Sequence, residues 1–397
     1  MLDSTYPNPH HILAPASVAL SADDALGVGE MEFAVPHYKR ERVNIAGARI
    51  IRTPDKLLDP DEEWDEYFEN LEIVNNWRSA HAYPLLVMRV TLGRYAKKID
   101  QDALVAQRIK RLVSINAKLD REKRMKLSQM QDIGGCRAVV SSIDNLRHLR
   151  QLYKESDIKH ELASFDDYVD KPRSSGYRGY HLVYKYRSDK AAKKVYNDLK
   201  IELQLRSQYQ HAWATAVETV GTFIGQALKS SIGPERWLRF FQLMGTAVAM
   251  REGTPPVPGT GSDAVTLIEE LRYQSANLGV AHTLATFSDA MRTLPRSTPE
   301  EQARAYYYLL RLNAKSGELT IDSFARNQSL EASLEYLEAE KEVKLTQGLD
   351  AVLVSVDSLS ALEKAYPNYF ADTRVFVELM NQALSGNESP ITAPSLL

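Results

Sequence analysis

The sequence predicts an α+β protein: a mixed β-sheet flanked by helices, with a small C-terminal β-β-α-β-α unit. Apolar residues follow helical spacing from Trp64 to Trp77 and then alternate with polar residues between residues 131 and 206. A Pro- and Gly-rich segment at 253–261 precedes a tail that has its own strand and helix pattern. Separate runs of helices and strands are typical of α+β folds.

The first 100 residues are predicted to form a mostly helical region. Asp59-Pro60 suits the start of a helix, because Asp is a good cap and Pro fits the first helical position. Two further helices are predicted near 85–97 and 101–119.

Residues 101–228 are predicted to form the central domain. Its predicted strands are Ile133–Val140, Lys159–Ser164, Tyr180–Tyr186 and Leu199–Leu205, with helices at 142–154 and Ser207–Leu228.

Residues 229–298 are predicted to be a helical connector that includes the 253–261 loop and a long helix at 263–294. The C-terminal unit is assigned to 299–388. Its hairpin strands, Ala305–Leu312 and Glu318–Ala325, flank a turn that ends at Gly317. A helix at 329–344, a strand at Ala351–Val356 and helices near 358–366 and 372–384 complete this unit.

Composition limits the classes of protein that are possible. The 397 residues are 44% apolar and 25% charged, an ordinary globular balance that allows two or three domains. A net charge of −3 does not indicate a general nucleic-acid binder, so such binding would require a local basic patch. The one cysteine, Cys136, excludes an internal disulfide and a cysteine-based zinc site. Because we find neither a long apolar run nor an export signal, we expect a cytoplasmic protein with no membrane contact.

Two acidic residues about 70 positions apart, Asp132 and Glu202, lie in or beside apolar strands. A carboxylate in such a strand is costly unless a cation pairs with it. If the strands are neighbours, both carboxylates could bind one Mg²⁺ and leave positions for phosphate oxygens. The alternative is two structural ion pairs, with Arg137 and Arg206.

A basic series offers contacts to phosphate groups, although the chain lacks a P-loop motif. Placed on the predicted helix, Lys110, Ser114 and Lys118 share one face, with Arg108 at its edge. This face could hold a triphosphate, and the arginine could stack on a base. A solvated basic helix face is the alternative.

The stretch from Lys171 to His181 is predicted to be a loop that leads into a strand. Tyr177 lies between Gly176 and Gly179, where its ring could be exposed and stack on a nucleobase. The alternative is a hairpin turn whose tyrosine packs on the sheet.

Together, these motifs resemble the RelA/SpoT-type synthetase domain over residues 100–225. The resemblance rests on an Arg-x-Lys, Ser and Lys series, an Asp followed by Arg, a Gly-Tyr-Arg-x-x-His loop, a Glu-x-Gln-x-Arg strand and a Trp-Ala…Glu helix. In order, these are Arg108, Lys110, Ser114, Lys118; Asp132, Arg137; Gly176, Tyr177, Arg178, His181; Glu202, Gln204, Arg206; and Trp213, Ala214, Glu218.

The resemblance implies a nucleotidyltransferase-like fold and a Mg²⁺-dependent pyrophosphokinase that moves the β,γ-diphosphate of ATP to a ribose 3′-hydroxyl. It implies that Arg108 and Arg137 sandwich the adenine, that Lys110, Ser114 and Lys118 bind phosphates, and that Asp132 and Glu202 hold Mg²⁺, with Glu202 activating the acceptor. It also implies that Tyr177 stacks on the acceptor's base, and the acceptor-binding residues are then Tyr177, Arg178, His181, Gln204 and Arg206.

The tail resembles that of fused toxic synthetases of the CapRel type. These carry a C-terminal pseudo-zinc-finger antitoxin domain in which a Tyr-x-x-Tyr motif, here Tyr366 and Tyr369, obstructs the ATP site. The resemblance implies transfer of diphosphate to the 3′-terminal adenosine of tRNA, which stops translation, and release of the block by a phage capsid protein or another phage trigger. No His-Asp pair of the hydrolase-bearing members occurs in the sequence.

A tRNA substrate needs phosphate contacts outside the pocket. The candidates are Lys97 and Lys98, and a second cluster made of Arg121, Lys123, Arg124 and Lys126, all of which could equally be solvated. Two other functions stay open: an alarmone synthetase that uses GDP or GTP as acceptor, and a non-catalytic protein that senses a partner.

Overall fold

The computed structural model describes residues 33–386, except for 53–60, 227, 229–230, 262, 346–347 and 357. The predicted helix start at Asp59-Pro60 lies outside the described residues, as do residues 1–32 and 387–397. Within the described residues, no helix is long and apolar enough to cross a membrane.

The structure confirms a mixed sheet flanked by helices. Its strands are β1 Leu104–Ile109, β2 Gly134–Val140, β3 Glu161–Asp167, β4 Tyr180–Lys185, β5 Lys200–Ser207, β6 Arg292–Pro295, β7 Ala305–Asn313, β8 Glu318–Ala325 and β9 Leu349–Ser355. They form one sheet in the order β3-β4-β5-β2-β1-β9-β7-β8-β6. The β2/β5 and β6/β8 pairs are parallel and the other pairs are antiparallel.

The helices cover this sheet and extend from it. They are α1 Arg40–Arg49, α2 Asp61–Ser79, α3 Ala82–Ile99, α4 Leu112–Arg121, α5 Ile143–Glu155, α6 Gln208–Phe223, α7 Glu235–Glu252, α8 Ala264–Leu278, α9 Val280–Ala290, α10 Pro299–Arg304, α11 Ser329–Leu345, α12 Leu359–Ala365 and α13 Arg374–Ser385. Short 3₁₀ turns lie at Leu127–Gln129, Ala191–Tyr196, Arg326–Gln328 and Pro367–Phe370.

The predicted helix at 101–119 is wrong in its first half. Leu104–Ile109 is strand β1, and the helix begins only at Leu112. β1 pairs with β2 along its whole length and with β9 near its end. Side chains that would also suit a helix therefore adopt the extended state, because strand pairing on both sides overrides weak local propensity.

The long helix predicted at 263–294 is also wrong, because it is divided into α8, α9 and strand β6. Gly279 separates the two helices with φ +56°, a left-handed conformation that ends α8 and that glycine adopts without strain. β6 then pairs in parallel with β8, a long-range contact that has no local signal in the sequence.

The C-terminal strands continue the same sheet as the central strands. At the junction, Gln107 and Arg108 of β1 pair with Ser355 and Val354 of β9. Helix α12 also lies against β1, and the Pro367–Phe370 turn lies against α6. The Tyr-x-x-Tyr motif therefore lies beside the strand that carries Arg108.

The apolar core behind the central strands fixes the register on which the site depends. Side chains of α3, including Leu85 and Met88, pack against Cys136 and Ala138 of β2. In the parallel β2/β5 pair, Gly135 faces Glu202. This register brings Asp132, just before β2, to the end of the sheet at which Glu202 lies.

Candidate active site

A pocket at the ends of β1, β2 and β5 brings together six of the predicted site residues. Its lining includes Arg108, Asp132, Arg137, Glu202, Gln204 and, from the C-terminal unit, Tyr366. The two carboxylates that are far apart in sequence thus face one cavity. The local reason is the parallel pairing of β2 with β5, which places the beginnings of both strands side by side.

Two lysines hold Asp132. The Nζ atom of Lys110 lies 2.5 Å from one carboxylate oxygen, and the Nζ atom of Lys118 lies 3.2 Å from the other. Burial alone would raise the pKa of Asp132, but the two ammonium groups outweigh burial and hold that pKa well below its usual range. Asp132 is therefore ionised at neutral pH.

The basic series does not lie on one helix, which corrects the predicted geometry. Arg108 is on β1, Lys110 is on the link after it, and Ser114 and Lys118 are one turn apart on α4. The backbone N–H of Lys110 donates to the carbonyl of Ile133 at 2.8 Å, which fixes the link beside Asp132. The two ammonium groups therefore converge, although one comes from the link after β1 and the other from helix α4.

Glu202 is held by neighbours on β4 and β5. The Nδ1 atom of His181 lies 2.8 Å from one oxygen, and the amide of Gln204 donates to the other at 2.6 Å. Burial opposes the charged form of Glu202, but these hydrogen bonds outweigh it and lower the pKa. Burial also opposes protonation of His181, yet Tyr177 and Glu202 outweigh it and raise its pKa to about 9. At neutral pH the site thus contains an imidazolium–carboxylate pair.

Tyr177 is buried, so the predicted exposed stacking ring is wrong. Only 7% of the residue is exposed, and its ring packs edge-on against Trp213. Its hydroxyl lies 2.5 Å from Nε2 of His181 and accepts from Arg206 at 2.9 Å. The apolar wall formed by α6 favours burial of the ring, and the hydroxyl remains satisfied within the site.

Arg178 does not face the pocket, which corrects its assignment to acceptor binding. Its guanidinium is buried and donates to the carbonyls of Val169 and Gly245 at 3.0 and 3.2 Å, and also to that of Pro255. A buried guanidinium must satisfy its donors, and here backbone carbonyls of the 245–255 stretch do so. Arg178 therefore anchors the loop, whereas His181 and Gln204 contact Glu202, and Arg206 donates to Tyr177 beside them.

Tyr366 covers Arg137 inside the pocket. The guanidinium carbon of Arg137 is 5.7 Å from the centre of the Tyr366 ring, and Nη1 donates to the carbonyl of Ala365 at 3.2 Å. The Tyr366 hydroxyl donates to the carbonyl of Gln107 at 3.3 Å. Burial, together with the nearby Arg206, lowers the pKa of Arg137 to about 10. The C-terminal unit thus contacts both arginine-bearing strands, β1 and β2.

Tyr369 lies beside a pair that the sequence did not reveal. Its hydroxyl accepts from Arg111 at 3.4 Å and donates to Asp350 at 3.2 Å, and Arg111 and Asp350 form an ion pair. Burial raises the pKa of Tyr369, so the hydroxyl stays neutral. Arg111 directly follows Lys110 of the basic series, but its partner Asp350 is too far away in sequence for any spacing rule to find it.

The residues predicted to contact tRNA lie outside the pocket. Lys97 and Lys98 are exposed in the last turn of α3. The second cluster is also exposed and lies at or just after the end of α4; it contains Arg121, Lys123 and Arg124. In this cluster, Arg121 pairs with Glu122 and Lys123 pairs with Asp120.

The donor set suits a magnesium ion that also binds substrate. Mg²⁺ is commonly held by one or two carboxylates and completes its shell with phosphate oxygens and water. Asp132 and Glu202 present such oxygens to one pocket. Among the residues with described positions, no group of three or more acidic, histidine or cysteine side chains could form a complete metal cage. A metal held by Asp132 and Glu202 would therefore complete its shell with phosphate oxygens and water.

The sequence matches the family profile described as a region found in RelA/SpoT proteins over residues 107–220. The chain therefore contains a region of the RelA/SpoT type, and this region includes both carboxylates of the pocket.

The chain is also similar to individual proteins. The chain is 28% identical to the GTP pyrophosphokinase YjbM of Bacillus subtilis (strain 168) over 128 residues, which are 32% of this chain and 59% of that relative. The small alarmone synthetase 1 of Bacillus subtilis, bound to its product pppGpp, gives a TM-score of 0.38 at 21% identity, covering 49% of this chain and 94% of that one. A GTP pyrophosphokinase family protein of Streptococcus pneumoniae gives 0.35 at 20% identity, covering 48% and 90%.

Proposed function

We propose that this protein is an ATP-dependent pyrophosphokinase that transfers the β,γ-diphosphate of ATP to a ribose 3′-hydroxyl. The observation that carries the proposal is the single pocket shared by Asp132, Glu202 and the two arginines. The RelA/SpoT-type region of 107–220 and the likeness to a GTP pyrophosphokinase support the same chemistry.

In the proposed reaction, the acceptor's 3′-oxygen attacks the β-phosphorus of ATP. The bond between that phosphorus and the oxygen bridging to the α-phosphorus breaks, and AMP leaves with the bonding electron pair. Glu202 accepts the hydroxyl proton, while His181 and Gln204 hold its carboxylate in place. A bound Mg²⁺ would neutralise charge on the diphosphate, with Asp132 and Glu202 as its protein ligands.

The cationic groups have separate tasks in this proposal. Lys110 and Lys118 exchange their contact with Asp132 for contacts with the phosphates, and Ser114 adds a hydroxyl on the same face of α4. Arg108 and Arg137 hold the adenine between their guanidinium planes. In the described arrangement the face of Arg137 is covered by Tyr366, so the nucleotide and the tyrosine compete.

We therefore propose that the C-terminal unit autoinhibits the enzyme, and that the acceptor is the 3′-terminal adenosine of tRNA, as in the fused toxic synthetases that the chain resembles. A partner that binds only the open form, such as a phage capsid protein, would release the block. Reversing a strongly closed population needs differential binding of about 5 kcal/mol.

The second candidate is an alarmone synthetase with GDP or GTP as acceptor, because the curated relative is a GTP pyrophosphokinase. ATP labelled on its γ-phosphate separates the two. Tyr366→Ala protein is incubated with tRNA, GDP or GTP, and Tyr366→Ala/Glu202→Ala protein serves as the inactive control. Label at the tRNA 3′ end supports our proposal, label in guanine nucleotide supports the second candidate, and label in neither favours a non-catalytic sensor.

A further inference from the structure

A buried ion pair joins α2 to α11. The Nη1 and Nη2 atoms of Arg78 lie 2.8 and 3.0 Å from the two carboxylate oxygens of Glu340, 262 residues away. Their side chains are only 3% and 5% exposed. A buried ion pair contributes little net stability compared with apolar packing, so its position within the fold is the informative property.

Arg78 also binds the backbone of the link that carries Lys110. Its Nε and Nη2 atoms donate to the Lys110 carbonyl at 3.1 and 3.0 Å. The Lys110 ammonium group points to Asp132. Arg78 thus fixes the backbone from which one of the two ammonium groups reaches the pocket.

Glu340 caps the helix that carries Ser114 and Lys118. One of its oxygens accepts the backbone N–H of Leu112, the first residue of α4, at 2.7 Å. This helix has no acidic residue in its first turn, and the side chain of Arg111 at its cap position accepts no hydrogen bond. A carboxylate from the C-terminal unit therefore satisfies a helix terminus in the central domain.

We propose that Arg78 is a positioning residue for the phosphate-binding 110–118 segment, and that the C-terminal unit controls this segment through Glu340. This inference rests on the proposed function for the nature of the ligand. The carboxylate of Glu340 neutralises Arg78 and the positive end of α4, and both would otherwise favour the phosphates. This control acts on the 110–118 segment, which is proposed to bind the phosphates. The Tyr366 ring instead covers Arg137 on β2, where the adenine is proposed to bind.

The two members of the ion pair should have opposite effects on nucleotide affinity. The probe is Mg²⁺ with an ATP analogue whose α–β bridging oxygen is replaced by methylene, titrated into full-length Tyr366→Ala protein. Adding Glu340→Gln should tighten binding severalfold, because a negative charge leaves the phosphate side. Adding Arg78→Gln should weaken binding severalfold, because the Lys110 carbonyl loses both donors.

The matched controls are Glu342→Gln, which is exposed on the same helix, and Arg42→Gln, which removes an exposed arginine. Neither should change affinity. A purely structural ion pair would move both variants in the same direction, and that result, or no difference from the controls, would overturn the inference.

Amide hydrogen exchange without nucleotide tests the coupling independently of any activity. Glu340→Gln should raise exchange at Leu112 and neighbouring amides of α4 about tenfold relative to Glu342→Gln, because a charged cap is lost. Unchanged exchange there would overturn the inference. If the exchange changes but Tyr366→Ala protein binds no nucleotide, the proposed function fails while the control of α4 by Glu340 stands.

Discussion

The guanidinium of Arg137 lies 5.7 Å from the centre of the Tyr366 ring, inside the pocket that contains Asp132 and Glu202. In the proposed function, the adenine of ATP stacks on this arginine face. The C-terminal unit supplies an aromatic ring to it instead. Cation–π contacts of this kind contribute about 2 kcal/mol when shielded from water, enough to compete with a ligand.

Removal of Tyr366 should make the full-length chain toxic. Tyr366→Ala deletes the ring that covers Arg137, so cells that express it should stop growing, whereas Tyr366→Phe keeps the ring and should remain harmless. Tyr369→Ala should also be toxic, because it removes the contacts to Arg111 and Asp350. Growth on inducing medium, with protein levels checked by immunoblot, measures this effect.

The toxicity should depend on the proposed chemistry. Adding Glu202→Ala to Tyr366→Ala should restore growth at the same protein level. Continued toxicity in the double variant would show that the tyrosine acts through something other than diphosphate transfer.

Asp132→Asn should abolish transfer and also lower stability. The substitution removes the charge that two partly buried lysines share. We expect the free energy of unfolding to fall by about 1–3 kcal/mol, because ammonium groups lose their counter-charge while retaining some access to water. Urea unfolding measures this change, and Asp120→Asn, whose exposed side chain pairs with Lys123, is the matched control. Equal stability of the two variants would contradict the described ion pairs.

The His181–Glu202 pair should stabilise the fold only within a limited pH range. The folded-state pKa of His181 is raised to about 9, so its contribution is complete below about 6.5 and is lost as the pH rises through 9. The pKa of Glu202 is lowered, so its contribution is lost as the pH falls below the ordinary glutamate range.

Thermal unfolding from pH 5 to 10 tests this dependence with His181→Gln and, as a control, His148→Gln, which alters an exposed histidine of α5. The melting temperature of the wild type should exceed that of His181→Gln by the largest margin near pH 6. This margin should shrink above pH 9. A difference that does not vary with pH would refute the charged pair.

The buried ring of Tyr177 should stabilise the fold, and its hydroxyl should raise the pKa of His181. Tyr177→Ala leaves a cavity beside Trp213 and should destabilise the protein by about 3–5 kcal/mol. Tyr177→Phe keeps the packing but removes the oxygen that contacts His181 and Arg206. It should therefore lower the pKa of His181 from about 9, which NMR titration of the imidazole measures. An unchanged titration in Tyr177→Phe would contradict this contact.

Local sequence patterns predicted the regular strands and the residues whose contacts are close in sequence. The alternation around Asp132 and Glu202 indicated two strands, and their pairing follows from the fold. The position of Arg108 was missed, because β1 is extended only through its pairing with β2 and β9. The direction of Arg178 was also missed, since carbonyls from the distant 245–255 stretch determine it.

The contact between Arg78 and Glu340 could not be predicted at all. These residues are 262 positions apart, and each alone looks like an ordinary charged residue on a helix. Both are buried where α11 brings Glu340 against Arg78 of α2 and the backbone of Leu112. Tyr366 and Tyr369 were predicted from a resemblance, and their positions beside Arg137 and Arg111 required the structure.

The most direct test of the account is calorimetric binding of Mg²⁺ with the methylene ATP analogue to wild type, Tyr366→Phe and Tyr366→Ala proteins. We predict weak binding by the first two, because an aromatic ring still covers Arg137, and an affinity on the order of tenfold higher for Tyr366→Ala. Equal affinity of all three proteins would contradict the claim that the C-terminal unit closes the nucleotide pocket.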